Sequence, residues 1–314
     1  MRKIIVTGAN GFIGTSLCKT LIERDYNVTG IVRSNVITSS SLNPKYINYN
    51  KFFFDSLRGA ECIIHCAAKA HFYNHNETDN QNTFKNINIE LTRSLAEKAV
   101  STGIKRFIFL SSIGVNGINT SNFKPFTNKD IAAPVEKYSI SKFEAEVLLK
   151  KMSDKFGIEI VIIRPPLVYG YGVKGNFLRL LNLIEKNIPL PFARINNKRS
   201  FIGLDNLIDL IICCIDHPKV VSQTLLVSDG EDISTPDLIR KLRKIMGKPS
   251  LLIPFPVSLI KFISKILKKS TEAERLLNSL QVDSSFTNEL LGWKPKVSLD
   301  EGLSQMVRWY LRNR

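Results

Sequence analysis

The chain has 314 residues, of which 44% are hydrophobic and 23% are charged. This composition is typical of a folded globular protein and excludes a disordered or collagen-like chain. The length predicts about two domains, and no apolar run approaches the roughly 18 residues of a membrane span. An excess of Lys and Arg over Asp and Glu, 44 against 28, gives a net charge of +16, which would attract phosphorylated ligands, nucleic acid or an anionic membrane.

The basic residues are scattered, and no zinc-finger, basic-zipper or RNA-binding signature accompanies them. We therefore do not expect a nucleic-acid partner. Five cysteines without a CxxC pair indicate a reducing compartment rather than a disulfide framework. The N-terminal apolar run is too short for a signal peptide, so a cytoplasmic protein is predicted.

Apolar, β-branched runs alternate with helical patterns in the first half of the chain. Strands are predicted over 3–7, 27–32, 61–67, 106–111 and 159–164, and helices over 12–22, 82–101 and 138–152. Near-continuous apolar strands that alternate with helices indicate a parallel sheet covered on both faces. The sequence therefore predicts a doubly wound α/β (Rossmann) fold, in which ligands bind at the carboxyl ends of the strands.

Shorter elements follow Tyr169, and glycines and prolines separate them. One more strand is predicted over 224–228, and helices are predicted after Pro236 and after Pro256. We divide the chain into a dinucleotide-binding domain, 1–169, which also receives about 200–224, and a smaller interleaved C-terminal substrate lobe, 170–314.

A glycine-rich turn joins the first strand to the first helix, with the sequence TGANGFIG at 7–14. Glycines in this position let the backbone approach a pyrophosphate, and the helix N-terminus supplies N–H donors. The strand before the turn and the helix after it favour dinucleotide binding over an ordinary tight turn. The cofactor-binding candidates here are Gly8, Asn10, Gly11, Phe12, Ile13 and Gly14.

The position that would read the cofactor ribose lacks a carboxylate. NAD-binding proteins usually carry Asp or Glu about 20 residues after the turn, but no acidic residue lies between Asp25 and Asp55. Arg33 follows the second strand instead, and a guanidinium there would pair with a 2′-phosphate. The sequence therefore favours NADP(H), with NAD(H) as the alternative.

A tyrosine and a lysine lie four residues apart in YSISK, 138–142, at the start of a predicted helix. This spacing places Tyr138 and Lys142 on one helix face, where the ammonium would favour the tyrosinate. Such a tyrosine can exchange a proton with a hydroxyl or carbonyl oxygen while hydride moves to or from a nicotinamide. Ser111 and Ser112 end the fourth predicted strand, at the same edge of the sheet.

These features together resemble the extended short-chain dehydrogenase/reductase family, in its nucleotide-sugar epimerase/dehydratase branch. The resemblance covers nearly the whole chain and also includes HCAA (65–68), RPPLVYG (164–170) and KRSFIGLDNLIDL (198–210). It implies a catalytic triad of Ser112, Tyr138 and Lys142. The further cofactor-pocket residues that it implies are Ala67, Ala68, Asn88, Ser111 and Pro165.

The resemblance also implies that the C-terminal lobe binds a nucleotide diphosphate. The substrate-binding candidates are Lys69, Asn176, Arg199 and Arg275. The chain departs from the glucose 4-epimerases at Leu167, where they carry asparagine. Arg275 lies eight residues before Asp283, two fewer than the family spacing.

Within the branch the chain looks most like bacterial 4-reductases of UDP-linked N-acetylated 6-deoxy-4-keto sugars, which serve O-antigen and other surface polysaccharide synthesis. That resemblance, with the missing ribose carboxylate, favours a reductase. One alternative is a UDP-glucose or UDP-N-acetylglucosamine 4-epimerase with retained NAD, and a second is a non-catalytic dinucleotide-binding module. Family resemblance suggests a homodimer through the helices near 82–101 and 138–152.

Two further features have less specific interpretations. His65, His71 and His75 lie near one another, but no complete ligand set accompanies them, so no metal site is predicted.

The segment 259–269 is a basic amphipathic helix, with Lys261, Lys265, Lys268 and Lys269 opposite Leu259, Phe262, Ile263 and Ile266. We expect its apolar face to pack on the core, and peripheral contact with an anionic membrane is the alternative.

Overall fold

A parallel seven-stranded sheet forms the centre of the protein, in the order β3-β2-β1-β4-β5-β6-β9. The computed structural model describes residues 1–33, 44–49, 53–68, 85–121, 124–267 and 269–314. The strands are β1 Lys3–Thr7, β2 Asn27–Val32, β3 Lys45–Asn48, β4 Cys62–His65, β5 Arg106–Leu110, β6 Glu159–Arg164, β7 Leu167–Tyr169, β8 Phe201–Gly203 and β9 Thr224–Leu226.

Helices cover both faces of this sheet, so the predicted doubly wound α/β fold is confirmed. The helices are α1 Phe12–Glu23, α2 Leu91–Ser101, α3 Lys137–Phe156, α4 Gly175–Glu185, α5 Leu204–Asp216, α6 Thr235–Ile245, α7 Val257–Ile266, α8 Ser270–Leu277, α9 Ser285–Leu291 and α10 Leu299–Arg312. Helices α1 and α5 pack with one set of strand side chains, and α2 and α3 pack with the other set.

Burial on both faces explains why the strands are near-continuous apolar runs. Successive side chains of a strand point to opposite faces, and Ile4 and Val6 belong to the core under α1. Ile5 belongs to the core on the other side, with Phe107 and Phe109 of β5. Alternation of polar and apolar residues would have left one of these cores unfilled.

The order of the strands reverses between β1 and β4, which are neighbours in the sheet. From β1 the chain proceeds outward to β2 and β3, whereas from β4 it proceeds the other way to β5, β6 and β9. The connections therefore leave a crevice at the carboxyl ends of β1 and β4. This switch point is where open α/β sheets bind their ligands.

The C-terminal part builds a second core around β7 and β8, which form a two-stranded parallel sheet. Tyr169, Phe177 and Phe201 pack there with side chains of α6 and α10. The chain also returns to the main sheet, because Leu225 of β9 and Trp293, which follows α9, belong to the core under α1. This interleaving agrees with the proposed substrate lobe, whose boundary remains a prediction.

Helix α7 differs from the expectation that its apolar face packs on the core. Leu259, Phe262, Ile263 and Ile266 are 41%, 61%, 41% and 65% exposed, and no residue of the helix is fully buried. The core-packing interpretation was therefore wrong. In the part of the chain that the structure describes, no helix has the length and apolar character needed to cross a membrane.

Candidate active site

The glycine-rich turn closes against β4 through contacts that leave no space for side chains. A Cβ atom on Gly14 would lie 2.1 Å from the Gly8 carbonyl oxygen, and one on Gly8 would lie 2.8 Å from the Ala67 backbone. Gly8 has φ +67°, in the left-handed region that favours glycine. The glycines are therefore required to bring β1, α1 and the end of β4 together.

The N-terminus of α1 faces the same crevice without a side-chain cap. Gly11 is the N-cap residue, and the first turn holds no acidic residue. Asn10 is exposed, whereas Phe12 and Ile13 are half-buried. Uncapped N–H groups and the positive end of the helix dipole suit a pyrophosphate, so this turn fits the dinucleotide that the sequence predicts.

Other predicted cofactor residues line the ends of neighbouring strands. Arg33 is exposed directly after β2, and Ala68 is exposed after β4. The Ala67 N–H donates to Thr7 Oγ1 at 3.2 Å, and the Pro165 carbonyl accepts from Ile113 N at 2.9 Å. Lys69, His71 and His75 lie outside the described residues.

The tyrosine and lysine lie in the first two turns of α3, at the carboxyl end of β5. Lys142 is only 1% exposed, and its Nζ donates to the Leu110 carbonyl at 2.7 Å. The same nitrogen lies 6.0 Å from the centroid of the Tyr138 ring. Burial lowers the pKa of Lys142 to about 8, because desolvation disfavours the ammonium.

The phenol of Tyr138 does not show the lowered pKa that we expected from its lysine neighbour. Burial raises the pKa of Tyr138 to about 12, since desolvation disfavours the tyrosinate. The protein alone therefore holds a neutral phenol beside an ammonium. In the protein alone this tyrosine is a proton donor, and a positive charge brought into the pocket would favour the tyrosinate, which can accept a proton.

The two adjacent serines after β5 have different environments. Ser111 is buried, and its hydroxyl donates to Glu146 Oε1 at 2.5 Å. Ser112 is half-buried, and its Oγ accepts from Gly114 N at 3.2 Å, which leaves the hydroxyl proton of Ser112 free for another acceptor. This difference favours Ser112 over Ser111 as the group that would contact a reacting oxygen.

A buried ion pair that we did not predict holds α3, the helix of Tyr138 and Lys142. Arg164 Nε donates to Glu146 Oε1 at 2.9 Å, and Arg164 Nη2 donates to Oε2 at 2.5 Å. Arg164 Nη1 also donates to Asn116 Oδ1 at 2.8 Å. Glu146 follows Lys142 by one helical turn, so its position on the same face as the tyrosine was the available signal.

A chain of hydrogen bonds joins the end of β1 to the helix of the tyrosine. Thr7 Oγ1 lies 2.6 Å from His65 Nδ1, and His65 Nε2 lies 3.0 Å from Thr92 Oγ1. Thr92 Oγ1 donates to the Asn88 carbonyl at 2.5 Å, so this oxygen accepts from His65. The Nε2 atom of the imidazole therefore carries a proton.

The imidazole is fully buried, and burial, with Lys142, lowers the pKa of His65 well below its ordinary value. Asn88, a predicted cofactor residue, continues the network, because its Nδ2 donates to Ser141 Oγ at 2.9 Å. Ser141 Oγ in turn donates to the Tyr138 carbonyl at 2.7 Å. These bonds fix the tyrosine helix relative to the strands of the crevice.

Two arginines predicted to bind substrate lie side by side near the start of α3. Arg199 Nη1 donates to the Arg275 carbonyl and to the Asn278 carbonyl, and burial, with Arg275, lowers the pKa of Arg199 to about 10. No carboxylate of the described residues forms an ion pair with Arg199. Arg275 donates to Glu136 Oε1 at 2.7 and 2.9 Å, two residues before Tyr138.

Asn176 is exposed near the N-terminus of α4. Leu167, where glucose 4-epimerases have asparagine, begins β7 and is 42% exposed. The structure thus gathers the predicted triad and the glycine turn at one edge of the sheet. The arginine pair approaches the tyrosine helix from the C-terminal part.

Comparisons with known proteins show the family of the chain. The model of the NAD dependent epimerase/dehydratase family matches residues 4–227. The chain belongs to this family. It is 42% identical to a UDP-glucose 4-epimerase of Vibrio cholerae, over 99% of this chain and 96% of the relative.

Two other similarities are more distant. A dTDP-4-dehydro-6-deoxyglucose reductase of Escherichia coli is 23% identical, over 97% of this chain and 96% of the relative. The crystal structure of a UDP-glucuronic acid 4-epimerase from Bacillus cereus in complex with NAD has a TM-score of 0.80, with 24% identity over 99% of each chain. The latter shows the same fold. Membership of the nucleotide-sugar epimerase/dehydratase family, which the motifs indicated, is thus established.

Proposed function

We propose that the protein is a UDP-sugar 4-epimerase that uses a retained NAD. The observation that carries this proposal is the 42% identity to a UDP-glucose 4-epimerase over almost the whole of both chains. The 4-reductase that we favoured from the sequence has weaker support, since the reductase relative is 23% identical. The epimerase, which is the alternative from the sequence, is the preferred function.

The proposed cofactor is NAD rather than NADP. The family model and the NAD-bound epimerase of the same fold support NAD, and a redox cycle that returns its hydride needs no external reductant. Arg33, exposed after β2, is the observation that favours NADP. Mass spectrometry of the nucleotide released by denaturing the purified protein distinguishes the two, and NADP as the released species would contradict the proposal.

The proposed roles follow from the positions of the side chains. When bound, NAD supplies a reversible hydride acceptor. Tyr138 exchanges a proton with the oxygen on C4 of the sugar, and the Ser112 hydroxyl donates a hydrogen bond to that oxygen. The Lys142 ammonium, held by the Leu110 carbonyl, stabilises the tyrosinate whenever the phenol has lost its proton. Rotation of the 4-keto sugar would then present its other face.

Arg199 is the proposed contact for the UDP diphosphate. Its guanidinium is half-buried and has only backbone carbonyl partners in the described structure, and a partly desolvated cation without a carboxylate is stabilised by an anionic ligand. Arg275 would contribute once it exchanges Glu136 for phosphate oxygens. Asn176 would add a donor at the N-terminus of α4, and Lys69 remains a predicted substrate contact.

The direct test is incubation of the purified protein with UDP-glucose or UDP-N-acetylglucosamine without added nucleotide. We expect interconversion with the corresponding 4-epimer, followed by NMR of the sugar anomeric protons. Tyr138→Phe should abolish this interconversion. Tyr26→Phe is the matched control, because Tyr26 directly precedes β2, at the opposite edge of the sheet, and should retain activity.

Two outcomes would contradict the epimerase. Stoichiometric oxidation of NADPH by a UDP-4-keto-6-deoxy-N-acetylhexosamine, without interconversion, would support the reductase. Absence of turnover with every UDP-sugar, despite tightly bound nucleotide, would support the non-catalytic module.

We also propose a homodimer through α2 and α3. Ile140, Val147 and Phe156 of α3 are 38%, 37% and 49% exposed, and the first two lie on one helix face, seven residues apart. A second copy would cover this face by packing helix against helix. Light scattering should give a dimer that Val147→Glu dissociates, and a monomeric unmodified protein would contradict this.

A further inference from the structure

Helix α7 presents two distinct faces. Val257, Ile260 and Ser264 are half-buried and form the less exposed face of the helix. At about 100° of rotation per residue, a second group lies within an arc of about 100° on the other side of the helix. That second group consists of Leu259, Phe262, Ile263 and Ile266, and we call it the α7 apolar face.

The α7 apolar face is exposed to a degree that isolated surface residues do not explain. Its members are 41–65% exposed, and Leu267 directly after the helix is 60% exposed. Single exposed apolar residues are normal, but a contiguous patch of this kind marks an interaction surface. The other face of the helix is half-buried, so the exposed face is the one available for a partner.

The surroundings of this face are strongly basic. Lys261, Lys265 and Lys269 are exposed, and Lys265 and Lys269 follow Phe262 and Ile266 by three residues, which makes them neighbours on the helix surface. The segment 257–271, which contains the helix, has four Lys and no Asp or Glu. A quarter of the net charge of +16 therefore lies in this short segment.

This combination identifies the chemistry of the partner. A second copy of the chain would bring the same lysines together across a two-fold axis, and like charges would oppose that contact. An anionic bilayer can bind both the α7 apolar face and the lysines beside it. Its acyl region accommodates the apolar side chains, and its headgroups attract the ammonium groups. Lysine stems are long enough to reach the headgroups from the edge of such a face.

We propose that α7 binds the protein peripherally to anionic membrane surfaces, with the α7 apolar face inserted at the headgroup boundary. Bilayer binding at this surface goes beyond the proposed epimerase activity and does not depend on it. A binding assay therefore tests this inference even for a protein with no turnover.

The experiment is flotation of the full-length protein with phosphatidylcholine vesicles, with and without phosphatidylglycerol. We expect flotation only with the anionic lipid, and less of it at high salt, which screens exposed charges. Phe262→Ser combined with Ile266→Ser should abolish flotation. Lys261→Gln combined with Lys265→Gln should lower partitioning about 30-fold, since each juxtamembrane lysine contributes about fivefold.

Leu311→Ser is the matched control, because Leu311 is an exposed leucine (36%) on α10 and should float like the unmodified protein. Equal melting temperatures of all variants would show that they fold. No flotation of the unmodified protein, equal flotation on vesicles without anionic lipid, or equal loss in the control would overturn the proposal. A change of oligomeric state in the Phe262/Ile266 variant would overturn it as well, by showing that a second copy covers this face.

Discussion

Replacement of Lys142 by methionine should stabilise the nucleotide-free protein at neutral pH although it removes a proposed catalytic group. The side chain is 1% exposed, and it forms no ion pair with any carboxylate of the described residues. Burial lowers the pKa of Lys142 to about 8. The folded protein therefore holds a charged ammonium in a buried environment that disfavours the charge. Functional groups of this kind often lower the stability of the fold.

The magnitude follows from the same pKa. A lowering from 10.5 to about 8 corresponds to about 3 kcal/mol of unfavourable charge burial. Methionine also loses the hydrogen bond to the Leu110 carbonyl, at about 1 kcal/mol. The net expected gain is about 2 kcal/mol, or a melting temperature about 4 °C higher.

The difference in stability between the unmodified protein and Lys142→Met depends on pH, and the two pKa values of Lys142 give its direction. Below pH 8 Lys142 is protonated in both folded and unfolded states, so the full cost is present. Between pH 8 and 10.5 the unfolded state binds more protons, so the stability of the unmodified protein should rise with pH relative to Lys142→Met. Above 10.5 the variant should be the less stable protein, because only the lost hydrogen bond remains.

Urea unfolding of the nucleotide-free proteins at pH 7 and pH 10 measures these differences. Lys150→Met is the matched control, since Lys150 is exposed on the same helix, and should change stability by less than about 0.5 kcal/mol at both pH values. A destabilised Lys142→Met at pH 7, or a difference that does not shrink at pH 10, would refute the reasoning.

Three further predictions concern the framework of the site. Gly14→Ala, whose Cβ would lie 2.1 Å from the Gly8 oxygen, should lose bound nucleotide and melt at lower temperature, measured on the purified protein; wild-type nucleotide content would contradict this. Glu146→Gln should cost about 3–5 kcal/mol in urea unfolding by breaking a buried pair with Arg164, and a cost below 1 kcal/mol would count against that pair. His65 should stay neutral from pH 8 to pH 5 in ¹⁵N NMR because burial lowers its pKa, whereas a titration near pH 6.5 would show an exposed ring.

Local patterns predicted the main sheet because each central strand is apolar on both faces. The strands predicted over 27–32 and 159–164 match β2 and β6 residue for residue. Strands β7 and β8 were missed, because three residues carry too little periodicity. Strand β3 was also missed, as a four-residue edge strand with no fully buried residue.

The sequence predicts which side chains share a face where this follows from spacing along one element, but it does not predict properties that depend on burial. Tyr138 and Lys142 are four residues apart, so their shared face was visible. The raised pKa of Tyr138 could not be predicted from the sequence, because desolvation depends on residues that are distant in the chain. For the same reason the sequence did not predict the Glu146–Arg164 ion pair or the exposed face of α7. Both depend on which neighbouring elements cover a residue.

The central claim is that hydride leaves C4 of a UDP-sugar and returns to the same carbon within one bound cofactor, with Tyr138 exchanging the proton. UDP-glucose deuterated at C4, incubated with the protein without added nucleotide, tests this directly by NMR of the product. The account predicts UDP-galactose that keeps its deuterium at C4, and no product from Tyr138→Phe. Loss of the deuterium to solvent during interconversion, or full activity in Tyr138→Phe, would contradict it.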